Sequence, residues 1–149
     1  MKRLLIILLF LLIGCAHGLI GELPVIANPD EAAEVYIIRG HNFFGSAASA
    51  YVLLDKEYIL AIRIDEHTKF LAPPGEHMIG FKFRGNPAMR IPVEFKPQRK
   101  YYYGIKIGFG SVTLWPINEE EAIPWLQKTK YLSLDKEPIP NAPPLPLKD

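Results

Sequence analysis

Between residues 33 and 117 apolar and polar side chains alternate in short runs, the period-two pattern of strands buried on one face. Glu34 to Arg39 is the first run, and Gly40 to Ser49 reads as a loop. Ala50 to Leu54 and Glu57 to Ile64 flank Asp55-Lys56, a hairpin connection without the favoured glycine. Residues 67–71 form a brief strand that stops at Pro73-Pro74-Gly75, where Pro74 presets φ and Gly75 accepts a positive one. In Glu76 to Arg84, His77, Ile79, Phe81 and Phe83 share a face opposite Glu76, Lys82 and Arg84. After Gly85-Asn86, the apolar Met89, Ile91, Val93 and Phe95 alternate with Arg90, Pro92 and Glu94. Pro92 has no N–H for a ladder, which predicts an edge strand. Arg99 to Ile107 puts Tyr101, Tyr103, Ile105 and Ile107 on one face and Tyr102 on the other. Ser111 to Ile117 completes the set.

Asn118 before Glu119-Glu120-Glu121 marks a helix start, an N-cap followed by carboxylates at the positive dipole end. Pro124 keeps that helix short or kinked, and Ala122, Trp125 and Leu126 have the spacing of a face that packs on a sheet. These patterns predict an all-β fold: a seven- to eight-stranded antiparallel β-sandwich over residues 33–134 with one short C-terminal helix.

The two ends of the chain differ from this middle. Met1-Lys2-Arg3 is a short positive segment and Leu4 to Ile13 is an unbroken apolar run. Ten residues rise about 15 Å as a helix against roughly 30 Å of hydrocarbon, so the run is expected to be a signal-peptide core and not a span. Leu12-Ile13-Gly14-Cys15 resembles the lipobox of bacterial lipoproteins. That resemblance implies cleavage after residue 14, diacylglyceryl modification of the Cys15 sulfur and acylation of its amine. An ordinary export signal with a chance cysteine is the alternative; Leu12 and Gly14 favour the lipobox. Ala16, not aspartate, follows the cysteine, which by the enteric sorting rule directs the protein to the outer membrane, facing the periplasm. Residues 15–32 lack periodicity and are expected to form a lipidated tether. Residues 135–149 carry five prolines, favour polyproline II, and contain PxxP spacing suited to partner binding.

Loss of residues 1–14 leaves 135 residues and takes Lys2 and Arg3, so 17 basic and 16 acidic side chains become 15 and 16. Such a balance, with the signs interspersed, argues against nucleic acid as a partner and against polybasic attraction to lipid. Membrane attachment is then left to the acyl chains, where two or three exceed the marginal affinity of one. A single cysteine excludes an internal disulfide.

From the lipobox to about Trp125 the chain resembles the DUF2846 family of small bacterial lipoproteins. The matching pieces are Val35-Tyr36-Ile37-Ile38-Arg39, Gly45-Ser46-Ala47-Ala48, Val52 to Asp55, Pro74-Gly75-Glu76-His77 and Tyr101-Tyr102. The Pro-Gly-x-His start is also similar in turn chemistry to PEGA-type modules. The resemblance implies an all-β extracytoplasmic domain with no catalytic residue to carry over. Asp55-Lys56-Glu57, in place of a glycine turn, and the proline-rich tail depart from the family's pattern.

Candidate chemistry is sparse. His67 and His77, ten residues apart with Asp65, Glu66 and Glu76 nearby, would hold a divalent metal if the Pro-Pro-Gly turn brought them together. The competing expectation for His77 is a hydrogen bond to a turn carbonyl. No nucleophile elbow or P-loop is present, and no cofactor is implied. Tyr102, expected to be exposed, and Phe43-Phe44 in a loop are candidate contacts for a partner protein. The expected role is therefore that of a non-catalytic lipid-anchored accessory module that contacts another envelope protein. The alternatives are wall-glycan or lipid binding by the sheet surface and metal-dependent activity at His67 and His77.

Overall fold

The computed structural model describes residues 17–42, 45, 47–83, 86–108 and 111–135. The signal segment, Cys15, Phe43, Phe44 and the tail from residue 136 lie outside the described residues. Among the described residues ten strands form two five-stranded sheets. In chain order they are β1 (Gly18–Leu19), β2 (Ala33–Arg39), β3 (Ala50–Leu54), β4 (Glu57–Ile62), β5 (Glu66–Ala72), β6 (Gly75–Lys82), β7 (Met89–Phe95), β8 (Lys100–Gly108), β9 (Ser111–Ile117) and β10 (Lys130–Tyr131). Helix α1 (Glu119–Lys128) lies between β9 and β10. One sheet has the order β1-β4-β3-β6-β7 and the other β10-β5-β2-β8-β9.

The eight longer strands are those that the alternation predicts, and the architecture is the expected all-β sandwich with one helix. The inward positions of β2, Val35 and Ile37, meet Ile79 and Phe81 of β6 and Tyr103, Ile105 and Ile107 of β8 in one core. Pro92 lies in β7, at the edge of its sheet, where its missing N–H costs no ladder bond. Asp55 takes φ 56° in the β3–β4 turn. Aspartate tolerates that conformation better than most residues, and its carboxylate accepts the Met78 N–H of β6, the strand beside β3.

Two expectations are corrected. The sandwich is not wholly antiparallel: β2 and β8 pair in parallel, Glu34 beside Lys100 through Arg39 beside Ile105. Alternation along a strand is the same in both pairings and carries no direction. The Pro73-Pro74-Gly75 turn carries the chain from β5 in one sheet to β6 in the other. Residues 17–32 are not a free tether. Gly18 and Leu19 pair with Ala61 and Leu60, and the N–H groups of Ile20 and Gly21 both donate to the Ile59 carbonyl. Leu23 packs on the core, and Asn28 caps a 3₁₀ turn at Pro29–Glu31. Two β residues are too short for a periodic signal, so only the docked chain reveals them.

Phe81 is fully buried between the sheets. Phe81→Ala is expected to cost about 3–5 kcal/mol through lost burial and an unfilled cavity, read as a lower urea midpoint.

Candidate functional site

Two ends of the sandwich and the face under α1 hold the polar side chains of interest. At the first end β2 finishes on Arg39, whose side chain is buried. Its Nη1 donates to the carbonyls of Ala48 (2.7 Å) and Ile62 (2.9 Å), and its Nη2 to Gly45 (2.7 Å). Ile62 belongs to the opposite sheet, so one guanidinium joins both sheets and the β2–β3 loop. The Phe83 ring lies 5.8 Å away, within cation–π range. Burial lowers the Arg39 pKa to about 10, a fall opposed by the Glu66 and Asp65 carboxylates.

Glu66 ties the first described residue, His17, to this end. Its Oε1 accepts from His17 Nδ1 at 3.0 Å and its Oε2 from the Arg63 N–H at 2.8 Å. Nearby, His41 Nδ1 donates to Asp65 Oδ2 at 2.9 Å. A groove of about 510 Å³ opens there between β2 and the last turn of α1, lined by Gly40, His41, Asp65, Trp125, Lys128 and Thr129. Trp125 lies so close over Gly40 that a Cβ there would fall 2.6 Å from its ring.

At the second end His77 Nδ1 lies 2.9 Å from Asp55 Oδ2 and its Nε2 3.1 Å from the Pro73 carbonyl; a neutral ring donates to one of these oxygens and an imidazolium to both. The expected turn-carbonyl bond is present, and the ring packs 5.3 Å from Phe95. Burial works to raise the Asp55 carboxyl, but hydrogen bonds from His77 and the Met78 N–H outweigh it and hold the group below its ordinary value. A cleft of about 560 Å³ runs beside them, lined by Asp55, Glu76, Met78, Pro92, Val93 and Glu94 as well as His77.

His67 is elsewhere. Its Nδ1 donates to Thr129 Oγ1 (2.8 Å), and that hydroxyl in turn donates a hydrogen bond to the Trp125 carbonyl (2.8 Å). The juxtaposition required for a shared metal is therefore not made: His67 serves the α1–β10 junction in one sheet, and His77 the β5–β6 turn at the other sheet. Among the described residues no group of three or more His, Cys, Asp or Glu side chains is arranged to hold a metal ion.

Tyr102 is corrected as well. It points to the outer face as expected, but α1 covers that face and leaves Tyr102 only 7% exposed. Its ring stacks on Tyr36 at 4.7 Å and its hydroxyl donates to Glu119 Oε1 at 2.8 Å. Burial and that carboxylate push the Tyr102 pKa up to about 12. Ala122, Trp125 and Leu126 pack on this layer, as the helix pattern predicts. The missed signal was the helix itself: an apolar helix face implies an apolar patch on the sheet, and Ile38 and Tyr102 supply it.

The chain matches no family model and no curated protein. Among the described residues no helix is long and apolar enough to cross a membrane.

Arg39→Met removes donors from three carbonyls, each worth about 1–3 kcal/mol when buried and unpaired, and should lower urea stability by about 3 kcal/mol or more. Burial depresses His67, with the Thr129 contact opposing it, so protonation favours the unfolded chain. Stability should fall as pH drops through about 6.5, and the loss ends at the lower folded-state value. His67→Gln should flatten that limb of a Tm–pH profile. It should spare the acid limb, where Asp55 loses its contribution as pH falls through its own depressed value.

Proposed function

We propose that this protein is a lipid-anchored, non-catalytic module of the bacterial envelope that presents a binding surface to another envelope protein. The observation that carries the reading is the docking of the first described residues. His17 is held by Glu66, and Gly18 and Leu19 are paired to β4. Two peptide bonds separate His17 from Cys15, at most about 7 Å of chain. An acyl group on Cys15 would therefore hold a defined edge of the sandwich close to the bilayer, as a positioned module requires. The lipobox resemblance and the resemblance to the DUF2846 lipoproteins point the same way, as does Ala16 for the outer membrane.

The partner surface falls at the opposite end. The cleft beside His77 combines exposed Met78 and Pro92 with the carboxylates of Asp55, Glu76 and Glu94, a combination suited to a basic, partly apolar segment of a partner protein. Phe43, Phe44 and the proline-rich tail remain further candidate contacts. The non-catalytic reading is supported by the hydrogen bonds of His67 and His77, which tie both imidazoles to turns and junctions of the fold.

Mild crosslinking and affinity capture from membranes test the proposal. The native chain should fractionate with membranes and retain a stoichiometric envelope protein. Cys15→Ser should release it to the soluble fraction. Glu76→Lys with Glu94→Lys should keep membrane association and lose the partner. Membrane association indifferent to Cys15→Ser would overturn the anchoring, and a partner retained by the double variant would overturn the assignment of the cleft.

A further inference from the structure

The register sorts the charged residues into two groups that the linear sequence mixes. β2, β4, β6 and β8 finish at the end where β3, β5, β7 and β9 begin, because β2 and β8 run parallel and the other long pairs antiparallel. His17 lies at this same end, since Gly18 pairs with Ala61 near the close of β4. Helix α1 starts at the far end, where Glu119 meets Tyr102 and Lys100, and finishes here, where Lys130 N–H donates to the Asp65 carbonyl.

Near the His17 end stand Arg63, Arg90, Lys106, Lys128 and Lys130, against the acids Asp65 and Glu66. At the far end the balance reverses. Glu57, Glu76, Glu94 and the Glu119–Glu121 run, with Asp30, Glu31 and Asp55, outnumber Lys56, Lys96, Arg99 and Lys100. A chain whose charges nearly cancel thus folds into a dipolar domain, cationic where the chain leaves toward Cys15. Lys130 pairs in register with Glu66, the residue that holds His17, and the neighbouring Tyr131 is 51% exposed. Lysine beside an exposed tyrosine is the composition of a membrane–water interface.

We propose that this end of the sandwich, centred on Lys130, Tyr131, Lys128 and Arg63, is a headgroup-contacting face that lies on anionic glycerophospholipid and sets the orientation of the domain. The inference rests on the anchored reading above and adds a direction to it: the cationic end lies on the lipid and the acidic cleft points away. The short link from His17 to Cys15 places the anchor beside this end, so contact needs no unfolding of β1. Attraction to anionic lipid then favours the orientation in which both anchor and cations meet the surface, and the acidic end is repelled.

The test uses the purified native lipoprotein in vesicles of phosphatidylethanolamine with phosphatidylglycerol. A fluorophore is placed at Gln127→Cys, in the last turn of α1, or at Glu57→Cys, at the far end; both positions are exposed. A quencher attached to lipid headgroups should quench the first label several-fold more than the second. Lys128→Gln with Lys130→Gln should erode that difference, at about fivefold in the oriented population per lysine, and high salt should do the same. Equal quenching at both positions on an acylated protein would overturn the proposed face while leaving the anchor intact. A mass spectrum showing no acyl group on Cys15 would overturn both readings.

Discussion

The guanidinium of Arg39 holds together the end of the sandwich on which the rest of the structure depends. A sandwich closes only if its two sheets stay in register at their open ends, where loops replace paired strands. Here one buried fork donates to carbonyls of the β2–β3 loop and of β4 in the opposite sheet. A buried cation is stable only when its donors are satisfied and countercharge is near. The carbonyls satisfy the donors, and Glu66 and Asp65 supply the countercharge. Glu66 also holds His17 and the backbone of Arg63. The same polar centre therefore closes the core, shapes the turn between the sheets and fixes where the chain enters the domain.

The helix plays the complementary part on the outer face. Asn118 and Glu121 form a capping box that starts α1. Its apolar stripe covers Ile38 and Tyr102, which would otherwise leave an apolar patch beside charged strands. Thr129 ends the helix and takes the His67 hydrogen bond, and Lys130 to Leu132 then run along β5. The segment after the sandwich proper thereby becomes part of its edge, and Leu134 reaches the core. His67, which in isolation resembles a metal ligand, is one of the bonds that hold this return.

Much of the site was readable only in parts. The alternation in β6 placed His77 on the inner face, and the Pro-Pro-Gly turn supplied a carbonyl for its ring; both are local, and both are found. The partner of its other nitrogen, Asp55, comes from a different hairpin and has no local signature. The alternation puts Tyr102 on the outer face, where it lies, but says nothing of the helix over it, because a strand's period gives the direction of a side chain and not what lies above it. Arg39 is the last residue of the first alternating run. That it is buried follows from the loop and the β4 carbonyl folding over it.

By itself the sequence determined the positions of the eight longer strands, their inward faces, the edge character of the Pro92 strand, the start of the helix and the near-cancellation of charge. Each of these is a property of neighbours a few residues apart, which alternation, turn chemistry and caps record. The tertiary structure decided the parallel β2–β8 pairing, the separation of His67 from His77, the burial of Tyr102 and the docking of residues 17–32. It also decided that charges interspersed along the chain collect with cations at one end and carboxylates at the other. Pairing direction and sheet order set which strand ends meet, and those are relations between segments far apart in sequence.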